Sequence, residues 1–184
     1  AGVPSVISLE NVSASTLGIK AHAAMAENDA RFDADRVTLN ASGAGSAALA
    51  LSGSDLYIPK ASVSTGILRN IDGGTISTRG PASLQLTGSS VGGSGLWLDT
   101  AASPNAAGNA HIDLSGSVVN GAASTAAGSQ SDVTLRDTSI WQLTGPSNLS
   151  TLRNSASLID FSAPVGNAFK QLTVNNYRGD NGTI

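Results

Sequence analysis

Apolar residues recur at every second position in short bursts, each bounded by Gly, Ser, Asn or Pro. Ile7 and Leu9 flank Ser8, Val37 and Leu39 flank Thr38, and Leu49 and Leu51 flank Ala50. The pattern returns at Leu84 and Leu86, Leu96 and Leu98, Ile112 and Leu114, Val133 and Leu135, from Leu158 to Phe161, and at Leu172 and Val174. Period-two alternation over such short runs, carried by Leu and β-branched residues, predicts strands and not helices. The Ala-rich stretch from Ile19 to Arg36 competes for helix on propensity. Its large apolar residues, Ile19, Met25, Phe32 and Val37, do not share a helical stripe, so two short strands with a polar loop near Glu27 to Asp29 are predicted instead.

Four segments share one pattern: apolar, any residue, apolar, three mostly small or polar residues, any residue, apolar. They are Leu49 to Leu56, Leu84 to Val91, Ile112 to Val119 and Val133 to Ile140. Their anchors Leu51, Leu86, Leu114 and Leu135 stand 35, 28 and 21 positions apart. A constant unit with uneven spacers is the mark of stacked coils with loops of different length. The predicted fold is therefore all-β, a parallel β-solenoid with coils of roughly 20–25 residues whose aliphatic side chains stack at about 4.8 Å. An antiparallel sandwich or barrel is the competing architecture. Against it, hairpin signals are few, Asp72-Gly73-Gly74 and Asn120-Gly121 being the clearest.

Composition fits stacked coils. The chain has 184 residues, enough for one domain, with 12% charged and 4% aromatic residues. Like charges stacked coil upon coil would repel, whereas Ser, Thr and Asn can hydrogen-bond along a ladder. A net charge of −3 leaves no broad cationic face for nucleic acid. Cysteine is absent, which removes disulfides, thiolate metal sites and a cysteine nucleophile. No run is long enough to span a bilayer as a helix, and Ala1 to Leu9 lacks the build of a signal peptide, as expected of a processed piece of a secreted protein. Four of the seven aromatic residues, Trp141, Phe161, Phe169 and Tyr177, lie beyond position 140. Large rings at one end of an aliphatic stack suggest a cap over the last coil.

From Ser131 to Ile184 the chain closely resembles the C-terminal end of pertactin-like autotransporter passenger domains. The resemblance rests on Trp141, Leu143, Gly145 and Ser147, then Leu149 and Leu152, a strand ending in Phe before Pro (Ile159, Phe161, Pro164), the run Phe169-Lys170-x-Leu172-Thr173-Val174-Asn175, and the turn Gly179-x-x-Gly182-Thr183. It implies a right-handed parallel β-helix over 1–130 and an autochaperone-like cap over 131–184. Within the cap, Trp141, Leu143, Phe161, Phe169, Leu172, Val174 and Tyr177 would form the folding nucleus. It further implies a monomeric, non-enzymatic stalk without cofactor or metal, exported through periplasm and outer membrane to the cell surface or beyond and serving adhesion or virulence. Its partners would be its own translocator β-barrel, expected after Ile184, and a host-cell receptor. The lack of cysteine suits passage through the outer membrane, which disulfides would obstruct. A passenger with protease, esterase or polysaccharide-binding activity is the alternative.

Other motifs are weighed against chance. Arg178-Gly179-Asp180 spells a cell-attachment tripeptide on an expected turn. Gly88-Ser89-Ser90-Val91-Gly92 matches a nucleophile elbow without the helix that such an elbow requires. Gly43-Ala44-Gly45-Ser46-Ala47-Ala48 imitates a dinucleotide fingerprint but leads into a strand. His22 and His111 lack partners at metal-ligand spacing, and Glu27, Asp29, Asp33 and Asp35 fit no calcium-loop pattern, so surface positions are expected for all of them. Trp97 with Asp99 is the one hint of a sugar-binding groove.

Overall fold

The computed structural model describes residues 4–161 and 170–184, and among them no helix forms. The strands build a parallel β-solenoid of about seven turns. An eight-stranded sheet takes one strand from each coil: Val6–Glu10, Arg31–Asp35, Lys60–Ser64, Pro81–Thr87, Asn109–Ser115, Gln130–Arg136, Ser147–Ser155 and Leu172–Asp180. After each of the first seven the chain bends into a second sheet, through Ser13–Thr16, Thr38–Ala41, Ile67–Asn70, Ser90–Ala101, Val118–Thr125, Ile140–Gln142 and Leu158–Asp160. A further row, Ala24–Glu27, Leu49–Ser52 and Ile76–Arg79, joins the second sheet along the later part of Ser90–Ala101. Register sets the coil length, which runs from 19 residues between Leu135 and Asn154 to 29 between Ala34 and Val63.

The alternation seen in sequence is what makes the core. Leu84, Ile112, Val133 and Leu152 stack in register and are buried, as do Leu86, Leu114 and Leu135 one pleat further on. Each such leucine contributes about 1.5–3 kcal/mol, and the stack supplies that on every rung. The predicted strands near Met25 and Phe32 form as Ala24–Glu27 and Arg31–Asp35, with the turn at Asn28.

The bend between the first two sheets follows one rule. In every coil the residue after the first strand has positive φ: Asn11, Arg36, Thr65, Gly88, Gly116, Asp137, Ala156 and Asn181, all between 47° and 56°. The chain then turns into the interior, and from the fourth to the seventh coil the inward residue is serine: Ser89, Ser117 and Ser157 directly after the left-handed residue, and Ser139 after a second one, Thr138. Ser89 Oγ accepts from Gly66 N (3.0 Å), Ser117 Oγ from Ser89 N, Ser139 Oγ from Ser117 N and Ser157 Oγ from Ser139 N (3.1 Å each). Each hydroxyl also donates to a carbonyl of its own bend. The inward-turned backbone at the corner is thus satisfied by the next coil, as buried N–H groups require.

Three details differ from the sequence reading. Leu49 to Leu56 is not equivalent to the other repeat copies. Leu49–Ser52 lies in the further row and pairs with Ala24–Glu27 and Ile76–Arg79, while Leu56 is exposed. The true counterpart is Lys60–Ser64, where Ala61 and Val63 stand in for the expected leucines. In the last copy a second positive-φ residue, Thr138, adds a position to the bend, so Trp141 and not Ile140 takes the core position opposite Val119. Neither hairpin signal makes a hairpin. Asp72-Gly73-Gly74 turns the corner between Ile67–Asn70 and Ile76–Arg79, and Asn120-Gly121 sits inside Val118–Thr125.

The bend rule separates two costs. Gly116→Ala meets no atom closer than 3.6 Å, so only its φ of 55° is penalised and a loss of about 1 kcal/mol is expected. Ser117→Ala orphans the buried Ser89 N–H and should cost about 1–3 kcal/mol. Ala156→Gly relieves a left-handed alanine and should stabilise. Urea midpoints of the three variants check this ordering.

Candidate functional site

The last rungs are keyed to the coil before them by polar side chains acting on backbone. Ser147 Oγ accepts from Ala123 N (3.0 Å), and Asn148 Nδ2 donates to Thr125 O (2.7 Å). Ser150 Oγ accepts from Ser131 N (3.1 Å), and Ser131 Oγ accepts from Ser150 N (3.3 Å). Three residues at the start of Ser147–Ser155, namely Ser147, Asn148 and Ser150, therefore read the backbone of the preceding coil, beneath a core of Leu149, Leu152 and Ile159.

Asn154 occupies the column continuing Leu114 and Leu135, and it is fully buried. Its Nδ2 donates to Thr183 O (3.1 Å), while its Oδ1 has no partner. Thr183 O also accepts from Ile159 N, and Thr183 N donates to Ser157 O, so the chain after the last strand is drawn across the end of the stack. Gly182 makes this possible, because a Cβ there would stand 2.3 Å from the Asn154 carboxamide carbon.

Of the expected nucleus, Trp141 and Leu143 are buried in the common core. Trp141 meets Trp97 edge to face at 5.9 Å and 77°, and its Nε1 donates to Gly121 O at 2.9 Å. Gly121, with φ of 143°, is required there, since a Cβ would fall 2.8 Å from Trp97 N. Trp97 itself is buried and leaves its Nε1 without an acceptor. It cannot line a sugar groove, and Asp99 beside it is engaged by Arg79 at 2.6 Å. Phe161, Leu172 and Val174 are half-buried against the core edge. Tyr177 shares a register position with Leu152 yet remains 46% exposed, its ring lying over Gly179 on the last rung. Phe169 lies outside the described residues. Among the described residues Leu172–Asp180 is the last member of the eight-stranded sheet.

Arg178-Gly179-Asp180 is exposed but is not on a turn. It is extended and pairs with Arg153, Asn154 and Ser155, because the bend comes only at Asn181. Ser90 is exposed on a strand and its hydroxyl makes no hydrogen bond, and Gly88 serves the bend. Gly43 and Gly45, both of positive φ, turn a corner; a Cβ on Gly43 would meet Gly18 O at 2.6 Å. Asp33 and Asp35 are tied to Arg31 and Arg36, and no group of three or more metal-ligating side chains forms among the described residues. His111 is exposed. His22 is half-buried with Nδ1 unpartnered, and burial, then Arg79, holds its pKa below the usual value. On the outer face below the last rungs, the Ser115 hydroxyl and then Arg136 hold the Asp137 carboxyl below its usual range. This pairing stabilises above ordinary carboxylate pH and is lost in acid.

These terminal rungs coincide with a known domain. Residues 147–184 match the family Autochaperone Domain Type 1. The matched stretch begins at the serine that reads Ala123 N and ends past the Asn154–Thr183 clasp. An autochaperone domain closing a β-solenoid fits a pertactin-like autotransporter passenger, as the sequence resemblance implied, and it implies export to the cell surface. No curated protein and no solved structure matches the chain.

The clasp makes its own prediction. Asn154→Ala should cost about 1–3 kcal/mol and speed amide exchange at Leu158 to Asp160 and at Thr183. Gly182→Ala should do likewise by collision. The double variant should lose less than the sum of the two, since the colliding group is gone.

Proposed function

We propose that this chain is the β-helical stalk of an autotransporter passenger, displayed on or released from the bacterial surface, and that its terminal rungs start the folding of the coils before them. The observation that carries this reading is the keyed contact between Ser147, Asn148 and Ser150 and the backbone of the preceding coil, within the segment matched to the autochaperone family. A coil arriving on a formed neighbour finds its strand partners and its corner acceptors already in place, so growth proceeds by local addition without long-range search. With no ATP outside the cell, such stepwise folding supplies a bias for export through the chain's own translocator β-barrel. The stalk has no catalysis of its own in this reading, and it presents an adhesive or other virulence function to a host-cell receptor.

A pair of buried rings, one in an early coil and one in the coil before the matched segment, tests the order of folding. Trp141→Ala and Phe32→Ala each remove a fully buried aromatic and should each cost about 3–5 kcal/mol at equilibrium. If the terminal rungs form first, Trp141→Ala slows refolding about tenfold or more, whereas Phe32→Ala acts mainly on the unfolding rate. Stopped-flow refolding and unfolding in urea separate the two limbs, and the reverse partition would overturn the proposal.

A further inference from the structure

Three like-charge pairs stand in register on adjacent rungs of the eight-stranded sheet. Glu10 pairs with Asp35, Arg31 with Lys60, and Arg153 with Arg178. Like charges about 4.8 Å apart across a ladder repel, and the first two pairs have a resident counter-ion. Arg36 bonds both Glu10 and Asp35, and Asp33 takes up Arg31 at 2.6 Å. Among the described residues Arg153 and Arg178 have none, no carboxylate approaching either within 4 Å. Arg136, one rung away, is already held by Asp113 at 2.9 Å and by Asp137.

The surroundings of this third pair are donors. Thr134 continues the arginine column, and Thr151 and Asn176 are paired in the next column on the same outer face. Among the described residues none of these three side chains has a hydrogen-bond partner. His111, Thr134, Thr151 and Arg153 border a shallow depression. Three acids face the region and limit it: Asp132 at one side of the depression, Asp113 in register with Thr134 but held by Arg136 at 2.9 Å, and Asp180 two residues beyond Arg178.

We infer that Arg153 and Arg178 form a binding site for sulfate or phosphate esters on an acidic polysaccharide, the external ligand supplying the counter-ion that the fold omits. Guanidinium forks on successive rungs suit tetrahedral oxyanions, which they hold by paired, charge-assisted hydrogen bonds. A repeating polyanion lying across the rungs would meet Arg178, Arg153 and the Thr134 hydroxyl in turn. A membrane surface is the poorer fit, because the outward columns here carry Arg, Thr, Asn, Ser and Asp with no apolar side chain to insert. The chain's net charge of −3 means that retention on a polyanion must come from a local site.

Immobilised dextran sulfate, with neutral dextran as the blank, tests the site at low salt. Wild-type protein should be retained and released by salt, Arg153→Gln and Arg178→Gln should each bind about tenfold more weakly, and the double variant should not be retained. Arg69→Gln removes an exposed arginine of the second sheet and should change nothing. Because both substitutions remove repulsion, the double variant should also be at least as stable as wild type in chloride, and inorganic sulfate at matched ionic strength should raise the thermal midpoint of wild type by more than that of the double variant, whose rise is the general effect of an excluded salt. Retention of the double variant, an equal loss with Arg69→Gln, or equal binding to vesicles of phosphatidylglycerol would overturn the assignment.

Discussion

Everything in this fold depends on one corner. A left-handed residue turns the chain from the first sheet to the second, and the residue after it points its backbone N–H into the interior, where water cannot reach it. Aliphatic stacking would proceed without that detail, but a buried donor left empty on every coil would offset much of what stacking contributes. From Gly66 to Ser139 serine of the next coil resolves it, being small enough for the corner and able to accept from the neighbouring coil while donating to its own. The corner therefore determines composition as well as shape. The abundance of Ser and Gly, and the scarcity of charge and rings, follow from an interior whose polar groups are matched rung by rung.

The same corner explains why coils of 19 to 29 residues can share one ladder. Only the paired residues of the first strand, the bend and the opening of the second strand need to match, and the bend varies by the one residue that Thr138 adds. Length is taken up beyond them, in the bulged run around Trp97 or in the corner after Asn70, where Asn70 donates to Ser46 O and Gly74 O and holds a long turn in place. Conserving the corner while varying the rest is how a solenoid accommodates uneven loops.

Much of this was legible in the chain. Leu84 to Val91 and Ile112 to Val119 read as two copies of one unit because leucine, glycine and serine occupy like positions in both, and the resemblance of the terminal segment led to the domain that residues 147–184 match. The serine column was visible in Leu86-Thr87-Gly88-Ser89 and Leu114-Ser115-Gly116-Ser117, but its role was not, since a hydrogen bond across 18 to 28 residues leaves no local mark. Lys60–Ser64 was missed because alanine fills a position that leucine fills elsewhere, and backbone pairing, not side-chain size, placed it. Asn154 could not be foreseen either. An asparagine among polar neighbours looks like a turn residue until register puts it in a leucine column.

Trp97 and Trp141 are the chain's two tryptophans, and they touch across an intervening coil. Their edge-to-face contact exists only when three successive coils are in register, so the coupled near-ultraviolet signal of two indoles is a built-in gauge of stacking. It needs no label, lies away from both ends, and would report a slipped coil that backbone circular dichroism, seeing only strands, would pass as native.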